Sequence, residues 1–159
     1  MTLPEWVAGD HSSVAQWEYD VTSDNIAYHR VYRQTQLLFS ETNDQADWGY
    51  WYWATENTGS LTFQSGQDIV VRGAFENNGK LGNTQDTNFR SINQDWPVFG
   101  FSVDLGSVTA SVNTVYTLGL TQEQAIQFDG VSGIVPLTSL WTSYFSSETD
   151  AVSSIHVFI

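Results

Sequence analysis

Trp48-Gly-Tyr-Trp-Tyr-Trp-Ala-Thr55 sets five aromatic side chains in six consecutive positions, Trp48 to Trp53. On an extended strand successive side chains point to opposite faces. Trp48, Tyr50 and Tyr52 then share one face, and Trp51 and Trp53 share the other. Neither face can be given wholly to water without exposing a large apolar patch. Either protein covers both faces, or one face lines a concave site for a flat ligand. Aromatic residues favour strands and cores, which weights the reading toward a strand covered on both sides. In the ligand arrangement Trp51 and Trp53 form the pocket side, because Trp48, beside Gly49 and after Asp44 to Asp47, reads as the strand's anchor.

Outward from this stretch the chain alternates short strand-like runs with turn residues. Val14 to Val21 predicts a strand with Trp17 and Tyr19 on one face, and His29 to Phe39 predicts a second. Asn43-Asp44-Gln45 reads as the turn before the aromatic strand, and Asn57-Thr58-Gly59 reverses the chain into Leu61 to Gln64. Ser65-Gly-Gln-Asp68 fits a capping box. Val70, Val71, Ala74 and Phe75 follow at helical spacing, and Asn78-Gly79 supplies a left-handed stop, so a helix is predicted near 66–78. Val98 to Leu105 and Val108 to Leu118 read as two strands joined at Gly106-Ser107, and Ala125 to Asp129 as a shorter strand or a turn of helix. Pro136 to Phe145 reads as an apolar connection. Val152, Ile155, His156 and Ile159 carry the stripe of an amphipathic helix. No repeat, low-complexity tract or linker divides the chain, so residues 1–159 are expected to form one domain. The expected fold class is mainly β: an antiparallel β-sandwich with one or two peripheral helices.

The chain has 159 residues, enough to bury a real core, with 18 acidic against 5 basic residues and a formal charge of -13. Nucleic acid and anionic membrane both need clustered Lys and Arg, so neither is an expected partner. No Lys or Arg follows Arg90. Cysteine is absent, which removes disulfides, thiolate metal sites and a Cys nucleophile. The sequence from Met1 lacks the basic start and apolar run of a signal peptide, so a cytoplasmic location is the expectation for the chain as it stands. No Asn-x-Ser/Thr sequon occurs.

Several ordered blocks carry a family resemblance. They include Glu5-Trp-Val-Ala-Gly-Asp10, Asp44-Gln-Ala-Asp-Trp-Gly49, Tyr52-Trp-Ala-Thr55, Gln64-Ser-Gly66, Asn83-Thr-Gln-Asp86, Asn88-Phe-Arg-Ser-Ile92, Trp96-Pro-Val-Phe-Gly-Phe101 and Ser139-Leu-Trp141. Together they resemble the fungal glutaminase A family, in its β-sandwich region before the helical, catalytic part. The resemblance implies larger, usually secreted relatives that hydrolyse the side-chain amide of L-glutamine. It also implies that catalysis resides outside this region, so no catalytic residue carries over to this chain.

The residues themselves offer little for catalysis. Amide hydrolysis needs a nucleophile with a base, or an activated water, and oxyanion donors. His11 stands beside Ser12 and Ser13, but neighbours on an extended chain point apart, and no Gly-x-Ser-x-Gly elbow exists. His29 and His156 read as packed or surface residues. Asp44 with Asp47, and Asp86 with Asn83 and Asn88, offer oxygen ligands, yet without EF-hand spacing they read as turns and caps rather than a calcium site. Arg33 and Arg90, among few cations, read as ion-pair partners or as holders of a ligand carboxylate. Trp96 before Pro97 is expected to be buried at a strand entry.

The sequence therefore favours a non-catalytic binding or carrier protein for a flat aromatic ligand, pigment or sugar. Its expected ligand residues are Trp51, Trp53, Trp48, Trp96, Arg90 and Arg33. A bound aromatic molecule or chromophore is the one cofactor considered, and no metal is expected. The alternative is an inert fragment or accessory domain of an L-glutamine amidohydrolase. Weak self-association through the 152–159 helix is the expected oligomeric behaviour.

Overall fold

A computed structural model describes residues 13–42 and 45–155. The elements are β1 (Val14–Val21), β2 (Ile26–Arg33), β3 (Glu41–Thr42), β4 (Gln45–Ala46), β5 (Tyr50–Glu56), β6 (Leu61–Gln67), α1 (Asp68–Asn78), β7 (Arg90–Ser91), β8 (Pro97–Val103), β9 (Tyr116–Thr121), β10 (Gln124–Gly130), β11 (Gly133–Thr138) and α2 (Glu148–Ile155), with a 3-10 turn at Leu140–Ser143 before α2. Five strands form one sheet in the order β7-β1-β2-β5-β9, while β6-β8, β10-β11 and β3-β4 form two-stranded ribbons. The ladders are antiparallel.

Both faces of the aromatic strand β5 are covered. On one face Trp51 and Trp53 pack against Ala15, Trp17, Val31, Ile92 and Phe99. This layer is closed by the β6-β8 ribbon: Phe63 stacks on Tyr19 with ring centroids 3.4 Å apart, and Phe99 meets Trp17 edge-on at 5.6 Å. On the other face Tyr52, Ala54, Ile26 and Tyr28 enclose Val152 of α2, with Tyr50 beside them. The outer side of the ribbon is covered in turn by α1, where Val71 joins Leu81 and Val98. Gly100 permits that approach, since a Cβ there would lie 2.8 Å from Leu81 Cδ1. The order is α2, five-stranded sheet, ribbon, α1: a mainly β sandwich with two peripheral helices.

The β1 limits agree with the sequence expectation, but other boundaries move for identifiable reasons. β2 starts at Ile26 and ends at Arg33 rather than running to Phe39. Gln36 Nε2 bonds the Arg33 carbonyl at 2.8 Å, and Phe39 turns the chain with φ 60°. The expected capping box does not form. Ser65 lies within β6, its Oγ accepting the Asp86 amide at 3.1 Å, and the N-cap of α1 is Gln67, without a side-chain bond. The C-terminal stop is as expected: Gly79, at φ 66°, donates to the Phe75 carbonyl at 2.8 Å. Of the apolar stripe Val71 is buried, while Val70 and Phe75 are exposed.

Residues 104–115 form no strand, although their β-branched pattern suggests one. Strand preference is realised only beside a bonding neighbour, and β9 gains one only from Tyr116, opposite Thr55 of β5. Pro136 to Thr138, expected as the start of a connection, instead ends β11 (Gly133–Thr138), the second strand of a hairpin, with Pro136 opposite Gln127. Its proline is tolerated because this ribbon has two free edges. The described helix starts at Glu148, earlier than expected. His11, Asn43, Asp44, His156 and Ile159 lie outside the described residues.

Candidate functional site

The six expected ligand residues do not converge on one place. Trp51 and Trp53 lie half-buried between the layers of the sandwich, with Trp53 4.8 Å from the Phe101 ring. Trp48 donates its indole N–H to the Gln124 carbonyl at 3.0 Å, at the base of the β10-β11 hairpin, and its ring sits 5.4 Å from Phe39. Trp96 is 49% exposed, which corrects the expectation of burial. Asp95 and Trp96 both take left-handed backbone angles, φ 55° and 38°. That turn leaves the indole outside while its carbonyl accepts the Asp68 amide at 3.0 Å.

The two arginines are held by the protein itself. Arg90 is buried, with Nη1 donating to Asp86 Oδ2 and to the Asn88 carbonyl, both at 2.7 Å. Its Nε donates to the Gln94 carbonyl at 2.8 Å, and the guanidinium lies 5.4 Å from the Trp17 ring centre. These bonds tie the 86–94 loop to the sheet. Arg33 donates from Nε to the Thr35 carbonyl at 2.9 Å and from Nη1 to Asp47 Oδ1 at 3.2 Å. Asp47 is itself buried and also accepts from Ser40 Oγ at 3.0 Å.

A different cluster brings charge and aromatic surface together. Glu18, Arg30 and Tyr52 stand opposite one another across β1, β2 and β5. Arg30 pairs with Glu18 at 2.8 Å, and its guanidinium lies 4.9 Å from the Tyr50 ring centre and 5.5 Å from that of Tyr32. Tyr52 receives a bond from Arg30 Nη1 at 3.3 Å and donates its hydroxyl to Glu148 Oε2 at 2.8 Å. Thr121 donates to the other Glu148 oxygen, also at 2.8 Å. Burial pushes the Tyr52 phenol well above its ordinary range; the Arg30 bond opposes this and Glu148 reinforces it. Tyr52 therefore remains a neutral donor. Arg30, Tyr50 and Glu148 of this cluster line a cavity of about 420 Å³ with Glu123, Trp141 and Phe145.

Chemically this is a clamp. A carboxylate on α2 accepts two hydroxyl bonds from β5 and β9, above a cation boxed by tyrosines. Sequence reasoning missed this cluster, although the alternation of Tyr28, Arg30 and Tyr32 along one strand and Tyr50 and Tyr52 along the other is a signal that could have found part of it. Glu148, far away in sequence, gave no such signal.

His29 is the one buried histidine described. Its Nε2 donates to the Gly100 carbonyl at 3.1 Å, and its ring lies 4.7 Å from Phe101 and 5.6 Å from Phe99. Nδ1 is buried without a partner. Burial lowers its pKa to about 4, with the Gly100 bond opposing. Among the described residues no three His, Asp or Glu side chains are grouped to hold a metal ion, and no helix is long and apolar enough to cross a membrane.

Comparison with known proteins adds what the geometry alone does not. Glutaminase A of Aspergillus oryzae is 55% identical over 153 residues, which is 96% of this chain and 22% of that protein. A protein of Arthroderma benhamiae named Probable glutaminase is 29% identical over 168 aligned positions, covering 97% of this chain and 19% of its own length. The chain thus spans about a fifth of the length of these curated relatives. No solved structure matches it significantly. Residues 2–157 match the model of a domain of unknown function, DUF5127, and the chain belongs to that family.

Proposed function

We propose that this chain is a non-catalytic accessory domain of a glutaminase-like protein, with the amide chemistry carried elsewhere in such a polypeptide. One observation carries the reading. The similarity to glutaminase A runs along 96% of this chain but takes in only 22% of the relative. The arrangement of side chains supports it. His29 is sealed between sheets with no hydroxyl bonded to it, and the clamp at Glu148 is made of groups that hold one another. The comparisons favour this reading over a carrier of flat ligands.

Ammonia release from L-glutamine tests it. The purified chain is expected to give no turnover above buffer, whereas glutaminase A assayed alongside does. Turnover by the chain alone would overturn the reading. A visible and near-ultraviolet spectrum with an intact mass is expected to show bare polypeptide, and a bound chromophore would restore the carrier.

A further inference from the structure

The sandwich is lopsided, and its uncovered part is apolar. The β6-β8 ribbon lies over β1 and β2 and reaches β5 through the Phe101–Trp53 contact. Leu118 and Leu120 of β9 stand opposite Trp53 and Trp51, so their side chains share the interlayer face, yet they are 44% and 37% exposed. Two residues further along, β10 and β11 form a hairpin whose register sets Ile126 opposite Leu137 and Phe128 opposite Val135. These four side chains form one apolar face, all exposed, while Gln127, Asp129, Ile134 and Pro136 take the other.

An isolated two-stranded hairpin is marginal in water, and this one is pinned at its base. Trp48 donates to the Gln124 carbonyl; Ser139 Oγ and Trp141 Nε1 both donate to the Gln122 carbonyl, and the Ser139 amide donates to the Glu123 carbonyl. The hairpin is thus anchored to the sheet while its apolar face stays open, the pattern of a protein-binding surface rather than a core.

The charge around it selects the occupant. Glu123 precedes β10 and Asp129 lies on it, and no Lys or Arg occurs anywhere from Ser91 onward. A second copy would bring like net charge against like, each copy carrying a formal -13. We propose that β9 and the apolar face of the β10-β11 hairpin, with Leu118, Leu120, Ile126, Phe128, Val135 and Leu137, dock against a protein surface of apolar centre and basic rim. The remainder of a glutaminase-like polypeptide supplies that surface, so the proposal rests on the accessory-domain reading.

The test is a full-length chimera in which this chain replaces the matching fifth of the Aspergillus oryzae glutaminase A, compared with the chain alone. Amide hydrogen exchange in β9, β10 and β11 is expected to slow about tenfold or more in the chimera. Phe128→Asp with Leu137→Asp, at positions exposed in the chain alone, is expected to restore fast exchange there while β1 and β2 remain protected. Equally fast hairpin exchange in a chimera that hydrolyses L-glutamine would overturn the docking surface and leave the accessory reading standing. A chimera without activity beside an active parent would sink the accessory reading, and the docking proposal with it. Paired Asp substitutions at the aligned positions of the parent glutaminase give a second readout, and unchanged exchange there also counts against the surface. Sedimentation of the chain at high salt closes the remaining route: a dimer abolished by Phe128→Asp would assign the face to a second copy.

Discussion

His29 shows how one side chain fixes a pH response. Its Nε2–H is committed to the Gly100 carbonyl, so a second proton must go to Nδ1, which is buried with no acceptor. The folded pKa of about 4 lies below the ordinary 6.5, so between these values the unfolded chain binds more protons than the folded one. Stability from neutral His29 is therefore present above about pH 6.5 and is lost as pH falls toward 4, by on the order of 3 kcal/mol. Denaturant melts across that range are expected to show the decline in wild type and a flatter profile in His29→Leu; parallel profiles would refute the assignment. The tryptophans separate in the same way. Trp17, 1% exposed and bonded to the Asp86 carbonyl at 2.7 Å, should cost roughly 3–5 kcal/mol as Trp17→Ala. Half-exposed Trp96 should cost less than about 1 kcal/mol on the same change, as equilibrium unfolding of the two variants would reveal.

At the scale of elements, α2 is held by polar bonds as much as by Val152. Removing the Glu148 carboxylate strips the Tyr52 hydroxyl of its acceptor, leaves the Thr121 hydroxyl only the Tyr50 carbonyl at 3.4 Å, and deprives Arg30 of a carboxylate 3.7 Å away. Glu148→Ala is expected to cost about 1.5–3 kcal/mol, the range for hydrogen bonds to charged groups, in urea unfolding. Gly49 ties β5 to β9 just as tightly. It has φ 101°, and a Cβ there would lie 2.6 Å from the Thr121 carbonyl oxygen. Gly49→Ala should therefore destabilise by more than about 1 kcal/mol, with a lowered melting temperature as the check. How legible each element was in the sequence follows from the same contacts. β1, β5 and the glycine end of α1 were readable, because alternation and a left-handed stop are local signals. The 104–115 segment and β11 were misread, since which strand lies beside a run is not local information. The Glu148 clamp was half legible: the tyrosines and Arg30 alternate along paired strands, but their carboxylate arrives from 96 positions beyond Tyr52.

At the scale of the whole molecule, cations and acids are unevenly shared. The C-terminal helix, through which weak self-association is expected, has Val152 packed on its own sheet. With a formal -13 on each copy, the chain is expected to sediment as a monomer at low salt, and a concentration-dependent increase in sedimentation coefficient would contradict this. The five basic residues have a further consequence. Arg30 and Arg90 sit within the sandwich and Arg33 ends β2 beside an exposed loop, whereas Arg72 and Lys80 lie exposed on α1 and just beyond its end. Trypsin, which cuts only after Lys and Arg, therefore meets few bonds that the native fold leaves open. Nicks after Arg72 or Lys80 need no more than local fraying of α1. A cut after Arg30 or Arg90 requires the layers to part, so the rate at which those two fragments appear is a clock for opening of the sandwich.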